Sequence, residues 1–221
     1  MTSREFRERL IRRARRIDLA ISPEVFAGLE QYFDLLARWN AKINLTALPL
    51  RSPTDETFDR LLVEPLAAAR HLADIQGVWI DLGSGGGSPA IPLKIARPGL
   101  SLIMVESKVR KAAFLREAIR TLNLPDARVE NVRFEDLVAR SEFRHSAALV
   151  TVRAVRADEN LFRIAGALLR SDGRIALFRP TDTRVTAPGF RFSHTFALME
   201  KPGSFLTTLA RVFHVEHAGS S

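Results

Sequence analysis

The sequence predicts an α/β protein: a Rossmann-like, mainly parallel sheet of seven strands with an antiparallel edge, preceded by N-terminal helices. Three observations predict this fold. From residue 78 onward, short apolar segments alternate with amphipathic segments of helix length, which is typical of a parallel sheet covered by helices. A glycine-rich turn follows the first apolar segment. The last two apolar segments have no helix-length segment between them, which predicts antiparallel pairing at that edge.

Three helices are predicted before the sheet. The first covers 3–17, with apolar residues at near-helical spacing on an otherwise basic segment that either contacts phosphates or is simply solvated. The second begins at Pro23, with Ser22 as its cap, and runs to about Trp39. The third covers about 55–73. These helices predict an N-terminal helical segment.

The rest of the chain predicts the sheet and its covering helices. The predicted strands are VWIDLG (78–83), 101–106, about 127–132, 147–152, 173–178, about 190–198 and about 204–214, and the predicted helices are about 88–97, 108–122 and 158–169. We therefore expect two parts, a helical segment over 1–74 and a Rossmann-like domain over 75–217.

Composition narrows the class of protein. With 46% apolar and 26% charged residues, the chain is predicted to be a globular protein with a substantial core. The absence of cysteine excludes disulfides, thiolate metal sites and a cysteine nucleophile, and favours the cytoplasm. The sequence contains no run of about 18 apolar residues, so we expect no membrane-spanning helix. The net charge of +8 favours a polyanionic partner, although a genome composition that favours arginine would explain the charge equally well.

The histidines do not predict a metal site. His214 and His217 lie three residues apart near the end of the sequence, but a catalytic zinc site requires three protein ligands and an open position. We expect no metal.

The strongest motif is the glycine-rich segment that runs from Asp81 to Pro89. Gly85, Gly87 and Ala90 fit the dinucleotide pattern GxGxxA, but such a match is weak by itself. A carboxylate at Asp81 would repel a pyrophosphate and attract a cationic group. S-adenosylmethionine carries both an amino group and a sulfonium, so the charge of the loop favours that ligand over a nicotinamide cofactor.

Three further residues support the same ligand. Glu106 ends the second strand, where a carboxylate can hydrogen-bond both hydroxyls of a ribose. Phe134 and Glu135 follow the third strand, where an adenine ring would lie. The combined pattern predicts a site for S-adenosylmethionine.

Five segments carry a resemblance to a known family. They are WNAKINLTAL (39–48), DLGSGGGSPAIPLKIARP (81–98), ESKVRKAAFLRE (106–117), VRFEDL (132–137) and VRA (152–154). The chain resembles the bacterial small-subunit ribosomal RNA methyltransferase G family, also called glucose-inhibited division protein B, from about Tyr32 to Arg179. The resemblance implies a class I S-adenosylmethionine-dependent methyltransferase that acts on N7 of a guanine in 16S ribosomal RNA.

The resemblance also implies roles for individual residues. It places cofactor contacts at Gly83, Ser88, Phe134, Glu135 and Arg153. To these the residue pattern adds Asp81, Gly85 and Glu106. Because N7 of guanine is an unprotonated lone pair at neutral pH, no general base is expected, and Arg153 is expected to orient the reactants.

RNA contacts are expected from basic and polar residues near the loop. These residues are Asn44, Thr46, Arg110, Lys111 and Arg116, together with the basic first helix. The expected partner is 16S ribosomal RNA or the assembled small subunit, and the chain is expected to act as a monomer.

The chain departs from the family pattern mainly on the side that faces the RNA. Where the family has Arg-His-Ile-Leu-Asp-Ser, this chain has Arg60 at the histidine position and Val63-Glu64 in place of Asp-Ser. Phe178-Arg179 replaces Lys-Gly after the fifth strand. Three alternatives stay open at this point: a methyltransferase with another substrate, a nicotinamide-dependent oxidoreductase, and a nucleic-acid-binding module with a degenerate cofactor site.

Overall fold

The structure is a computed structural model that describes residues 1–200 and 203–212. Seven strands form one sheet in the order β3-β2-β1-β4-β5-β7-β6. The strands are β1 (Val78–Leu82), β2 (Ser101–Val105), β3 (Ala127–Glu130), β4 (Ala147–Arg153), β5 (Leu169–Arg179), β6 (Phe190–Ala197) and β7 (Phe205–Arg211). The first five pair in parallel, and β7 pairs antiparallel with both β5 and β6. The predicted α/β fold with an antiparallel edge is confirmed.

The helices follow the amphipathic segments. They are α1 (Ser3–Arg15), α2 (Pro23–Asn40), α3 (Asp55–Phe58), α4 (Glu64–His71), α5 (Ala90–Ala96), α6 (Val109–Thr121), α7 (Phe134–Ala139) and α8 (Glu159–Leu168). Ser22 caps α2 as predicted, because its hydroxyl accepts a hydrogen bond from the Val25 N–H. The short helix α7 was not predicted.

The order of the strands fixes the position of the site. Strands β2 and β3 lie on one side of β1, and β4 and β5 lie on the other side. The direction of winding therefore reverses between β1 and β4. In open α/β sheets, ligands bind outside the carboxyl ends of the strands at such a reversal.

The sheet is covered on both faces. Because side chains alternate along a strand, Trp79 and Ile80 of β1 enter opposite cores. The Ile80 face packs against α7 and α8, while the Trp79 face packs against α5, α6 and the helices that precede the sheet. Apolar burial on both faces supplies the main driving force for this arrangement.

The N-terminal helices share a core with the sheet. Phe6 of α1 lies 5.4 Å from Phe33 of α2 and 5.4 Å from Phe58 of α3, measured between ring centroids. This aromatic group belongs to the same apolar cluster as Trp79 and Leu102 of the sheet. The boundary expected at residue 74 stays a prediction, and the apolar core is continuous across it.

The third predicted helix contains an irregular turn. A π-helical turn, Asp59–Val63, joins α3 to α4. The backbone N–H of Glu64 donates to Asp59, so it does not serve Arg60 as in a regular helix, and Pro65 has no N–H to donate to Leu61. The carbonyls of Arg60 and Leu61 are thereby released from the usual helical pairing, and both face the site described below.

Two further features of the described residues concern membrane-spanning helices and metal sites. Within residues 1–200 and 203–212, no helix is long and apolar enough to cross a membrane. The same residues contain no cluster of three His, Cys, Asp or Glu side chains suited to a metal ion. His214 and His217, which were considered as metal ligands from the sequence, lie outside the described residues.

Candidate active site

A cavity of about 530 Å³ lies beyond the carboxyl ends of the central strands. Its walls come from the glycine loop after β1, from Glu106 after β2, from the end of β4 and from the end of β5. The opposite wall comes from the loop after α2 and from the π turn. Sites for small molecules commonly enclose about 300–1,000 Å³, so the cavity is large enough for a cofactor.

The glycine loop is shaped by positive φ angles. Gly83 and Gly85 have φ angles of +75° and +53°, which L side chains rarely adopt. A Cβ on Gly83 would also lie 2.9 Å from Val155 Cγ2. Glycine at these positions therefore keeps the loop backbone next to the cavity.

The loop is held in place from below and from the side. The N–H groups of Gly83 and Ser84 donate to the carbonyl of Val105 at 2.9 and 3.1 Å. The hydroxyl of Tyr32, which is fully buried on α2, donates to the carbonyl of Gly86 at 2.7 Å. Helix α2 thus contributes directly to the shape of the loop.

Glu106 lies at the edge of the cavity with its carboxylate ordered by backbone groups. Its Oε2 accepts a hydrogen bond from the Gly85 N–H at 2.9 Å, and its Oε1 accepts one from the Lys108 N–H at 2.7 Å. Each carboxylate oxygen has a second lone pair. Glu106 is therefore positioned to accept hydrogen bonds from two hydroxyl groups of a ligand.

Asp81 lies beneath the loop and does not line the cavity. It is 1% exposed, and its Oδ1 accepts a hydrogen bond from the Thr151 hydroxyl at 2.5 Å. Burial raises the pKa of this carboxyl, while the hydroxyls of Ser84 and Thr151 act in the opposite direction. The indole of Trp79 donates to the same threonine at 2.7 Å. In this structure Asp81 supports the loop through a buried hydrogen-bond chain.

Arg153 ends β4 and lies in the wall of the cavity. One terminal nitrogen donates to the Arg60 carbonyl at 2.6 Å and to the Ser88 hydroxyl at 3.2 Å, and the other pairs with Glu64. Its guanidinium carbon lies 4.6 Å from the ring centroid of Phe178. Burial lowers the pKa of Arg153 and Glu64 opposes the shift, but an arginine remains charged in proteins.

The π turn supplies the acceptors for this wall. The carbonyl of Arg60, released from its helical donor, accepts from Arg153, and the carbonyl of Leu61 accepts from the Ser88 hydroxyl at 3.0 Å. Glu64, which is 2% exposed, also lies 3.4 Å from the guanidinium of Arg60. The irregular helix and the end of β4 are thereby joined in one polar network.

The chain matches the family described as rRNA small subunit methyltransferase G over residues 26–191. The chain belongs to this family. The ribosomal RNA small subunit methyltransferase G of Xanthomonas axonopodis pv. citri is 38% identical over 175 residues, covering 72% of this chain and 78% of the relative. That of Stenotrophomonas maltophilia is 43% identical over 157 residues, covering 71% and 68%.

Solved structures share the fold. The protein yhhF of Escherichia coli, which is named as a methyltransferase, has a TM-score of 0.55 at 14% identity, covering 67% of this chain and 84% of its own. MtNAS in complex with MTA and tNA has a TM-score of 0.56 at 16% identity, covering 85% of this chain and 72% of its own. These similarities confirm the class I methyltransferase fold.

Family membership makes the chain a methyltransferase that uses S-adenosylmethionine. The cavity fits that cofactor, because glycines clear space beside the loop and a carboxylate lies where ribose hydroxyls would be. Of the predicted cofactor residues, Gly83, Gly85, Ser88, Glu106 and Arg153 line the cavity. Asp81 lies below it, and Phe134 and Glu135 begin α7 outside the lining.

Two of the five predicted RNA residues lie at the cavity. Thr46 and Lys111 line the cavity, whereas Asn44, Arg110 and Arg116 are exposed. The WN…NLT segment has a structural explanation, because the Asn40 side-chain oxygen accepts from the Leu45 and Thr46 N–H groups at 2.8 and 3.0 Å. This cap folds the loop after α2 toward the cavity.

Sequence reasoning missed three residues of the site. Tyr32 holds the glycine loop, and Arg60 and Glu64 flank Arg153. Arg60 and Glu64 were noted only as departures from the family pattern. Pro65 was the available signal, because a proline inside a helix releases a carbonyl one turn earlier.

Proposed function

We propose that this chain methylates N7 of a guanine in 16S ribosomal RNA, within the cavity between the glycine loop and the end of β4. One observation carries the proposal: a single cavity combines the glycine loop, the Glu106 carboxylate and the Arg153 guanidinium at the reversal point of the sheet. The family's name gives the small-subunit RNA as the class of substrate.

The residues divide into two proposed groups. The proposed cofactor residues are Asp81, Gly83, Gly85, Ser88, Glu106, Phe134, Glu135 and Arg153. Asp81 would act from below the loop through its hydrogen bond with Thr151. The proposed RNA residues are Asn44, Thr46, Arg110, Lys111 and Arg116. We also propose that the chain acts as a monomer without a metal ion, on free RNA or on the small subunit.

Bound S-adenosylmethionine would supply a methyl group on a positively charged sulfur. The lone pair of guanine N7 is unprotonated at neutral pH, so no residue of the chain has to remove a proton. The work of the protein is alignment, which can contribute about 7–11 kcal/mol to catalysis. Glu106 would fix the ribose, and Arg153 would hold the wall against which the two reactants meet.

The proposal is tested with 16S ribosomal RNA from cells that lack this gene. The purified chain is incubated with that RNA and with S-adenosylmethionine labelled on its methyl group, and the product nucleoside is identified and mapped. We expect 7-methylguanosine at one position. A label on another atom, or a label found only on protein, would contradict the proposal.

A binding titration provides the control for the cofactor half of the site. Glu106→Gln should weaken affinity for S-adenosylhomocysteine about tenfold, as expected when a charged acceptor of hydroxyl hydrogen bonds is removed. Glu142→Gln, which changes an exposed carboxylate distant from the cavity lining, should have no effect. Equal affinities for all three proteins would remove Glu106 from the assignment.

A further inference from the structure

A second groove lies between α2 and α6, beside the cavity. It encloses about 600 Å³. Its floor is apolar and its rim is basic. The floor includes Leu35, Trp39 and Ile43, and the rim includes Arg38, Lys42 and Arg110. The three basic side chains belong to exposed residues.

We propose that this groove binds an unpaired nucleotide of the substrate RNA, with its base stacked on Trp39 and its phosphates beside the basic rim. The inference rests on the proposed function, since the nucleotide would flank the guanine that enters the cavity. Stacking on an aromatic side chain combined with cationic contacts to phosphate is the general mode by which proteins bind single-stranded nucleic acid.

The two tryptophans of the chain differ in a way that supports a ligand at Trp39. Trp79 is fully buried, and its indole N–H donates to Thr151 at 2.7 Å. Trp39 is half-buried and contacts Phe114 edge-to-face at 5.8 Å. Its indole N–H donates to no acceptor within residues 1–200 and 203–212. A tryptophan with one packed edge and an unused polar group suits an interface.

The charge of the rim favours a polyanion. Within the described part of the chain, Lys42 and Arg110 form no ion pair with a carboxylate, and Arg38 interacts electrostatically with Glu117 without forming an ion pair with it. The groove has one acidic lining residue, Glu117, and its carboxylate is already paired with Arg120 at 2.7 Å. The net positive charge at the rim is therefore available to phosphates.

The groove and the cavity are neighbours along two segments of the chain. On α6, Arg110 faces the groove and the next residue, Lys111, lines the cavity. In the loop after α2, Ile43 lines the groove and Leu45 lines the cavity. A strand whose base occupies the cavity would therefore pass over the groove with its adjacent nucleotides.

Tryptophan fluorescence gives a direct test, because Trp39 is one of only two tryptophans and the other is buried. The full-length protein is titrated with a short single-stranded RNA of mixed sequence and, separately, with a duplex of equal charge. We expect the single strand to quench part of the emission and the duplex to leave it unchanged. Trp39→Phe should abolish the quenching while the emission of Trp79 persists.

Affinity measurements test the energetic contribution. Trp39→Leu, which keeps an apolar contact with Phe114, should weaken binding of the single strand about tenfold, and Trp39→Phe should weaken it less. Lys42→Ala and Arg110→Ala should each reduce the salt slope of binding by about 0.7. The matched control Arg163→Ala removes an exposed charge on α8, across the sheet, and should leave the slope unchanged.

The possible failures separate this inference from the proposed function. If the single strand causes no quenching, or if Trp39→Leu binds it as tightly as the wild type, the groove is not a nucleotide site, even when the protein still methylates 16S ribosomal RNA. Equal quenching by the duplex overturns the inference as well. Failure of the wild-type protein to methylate that RNA overturns the proposed function itself. Unchanged affinity for S-adenosylhomocysteine shows that each variant is folded.

Discussion

At the scale of single residues, Glu64 balances charge in the cavity wall. Its buried carboxylate lies between the guanidinium groups of Arg60 and Arg153. A buried carboxylate without a partner is strongly unfavourable, so the three residues depend on one another. In this chain the glutamate compensates for the positive charge of the arginine that ends β4.

We expect this dependence to appear in stability. Arg153→Ala should lower the free energy of unfolding by about 3 kcal/mol, because it removes the closer partner of Glu64 and leaves only Arg60. Glu64→Gln should also destabilise, and the double variant should lose less than the sum of the single losses. Urea unfolding of the three variants measures this coupling. Strict additivity would show that the pair contributes no interaction energy.

Asp81 provides a second prediction at this scale, based on pH. Burial raises its pKa above the ordinary value of 3.8, so the folded protein binds this proton more tightly than the unfolded chain. As pH rises from the unfolded pKa through the folded pKa, the wild type therefore loses stability that Asp81→Asn does not lose. The stability of Asp81→Asn relative to wild type should increase with pH across that window. Urea unfolding at several pH values checks the direction, and a flat or falling difference would contradict it.

At the scale of elements, the sequence predicted the strands better than the irregular helix. Apolar runs such as residues 101–105 are short and bounded by turn residues, and local patterns of this kind determine strands reliably. The third helix was expected to be regular over 55–73, whereas Asp59–Val63 form a π turn. The amphipathic pattern continues through the turn, so periodicity alone did not reveal it.

In the site, too, some residues could be predicted from local sequence patterns and others could not. The sequence predicted Glu106 as a residue at the end of β2, and the structure places it beside the cavity, because strand ends in a parallel sheet meet at one edge. The pairing of Arg153 with Glu64 joins residues 89 positions apart. Such a contact depends on how α4 packs against the sheet, which no local pattern contains.

Pro65 connects the irregular turn to function. Pro65→Ala would give the Leu61 carbonyl a helical donor and would favour a regular helix. The carbonyls of Leu61 and Arg60 would then no longer be free to accept hydrogen bonds from Ser88 and Arg153. We expect turnover to fall about tenfold, which corresponds to about 1.4 kcal/mol of transition-state stabilisation. The stability should change by less than about 1 kcal/mol, because a better helix offsets the lost contacts.

A matched variant controls for the general effect of removing a proline. Pro125→Ala alters an exposed loop proline after α6 and should leave turnover unchanged. Turnover assays and thermal unfolding of the two variants separate the possibilities. Wild-type turnover in Pro65→Ala would show that the π turn has no part in catalysis.

At the scale of the whole molecule, the helices before the sheet and the sheet itself bury a common core. One face of the sheet, which includes Trp79 and Leu102, packs in the same cluster as Phe6 and Phe33. Tyr32 and Glu64 extend this connection to the cavity, because both belong to N-terminal helices and contact residues of the sheet domain. The predicted helical segment 1–74 thus contributes both to folding and to the site.

A shared core predicts a single cooperative transition. Urea unfolding monitored by far-ultraviolet circular dichroism, which reports all helices, should coincide with urea unfolding monitored by the fluorescence of Trp79 in a Trp39→Phe background. A chain that begins at residue 75 would expose the apolar face that the helices cover, and should bind a hydrophobic dye and aggregate. Two separated transitions, together with a soluble and dye-free fragment, would show instead that the sheet domain folds without the helices. The contacts of Tyr32 and Glu64 with the site would then stabilise the cavity without being required for the fold.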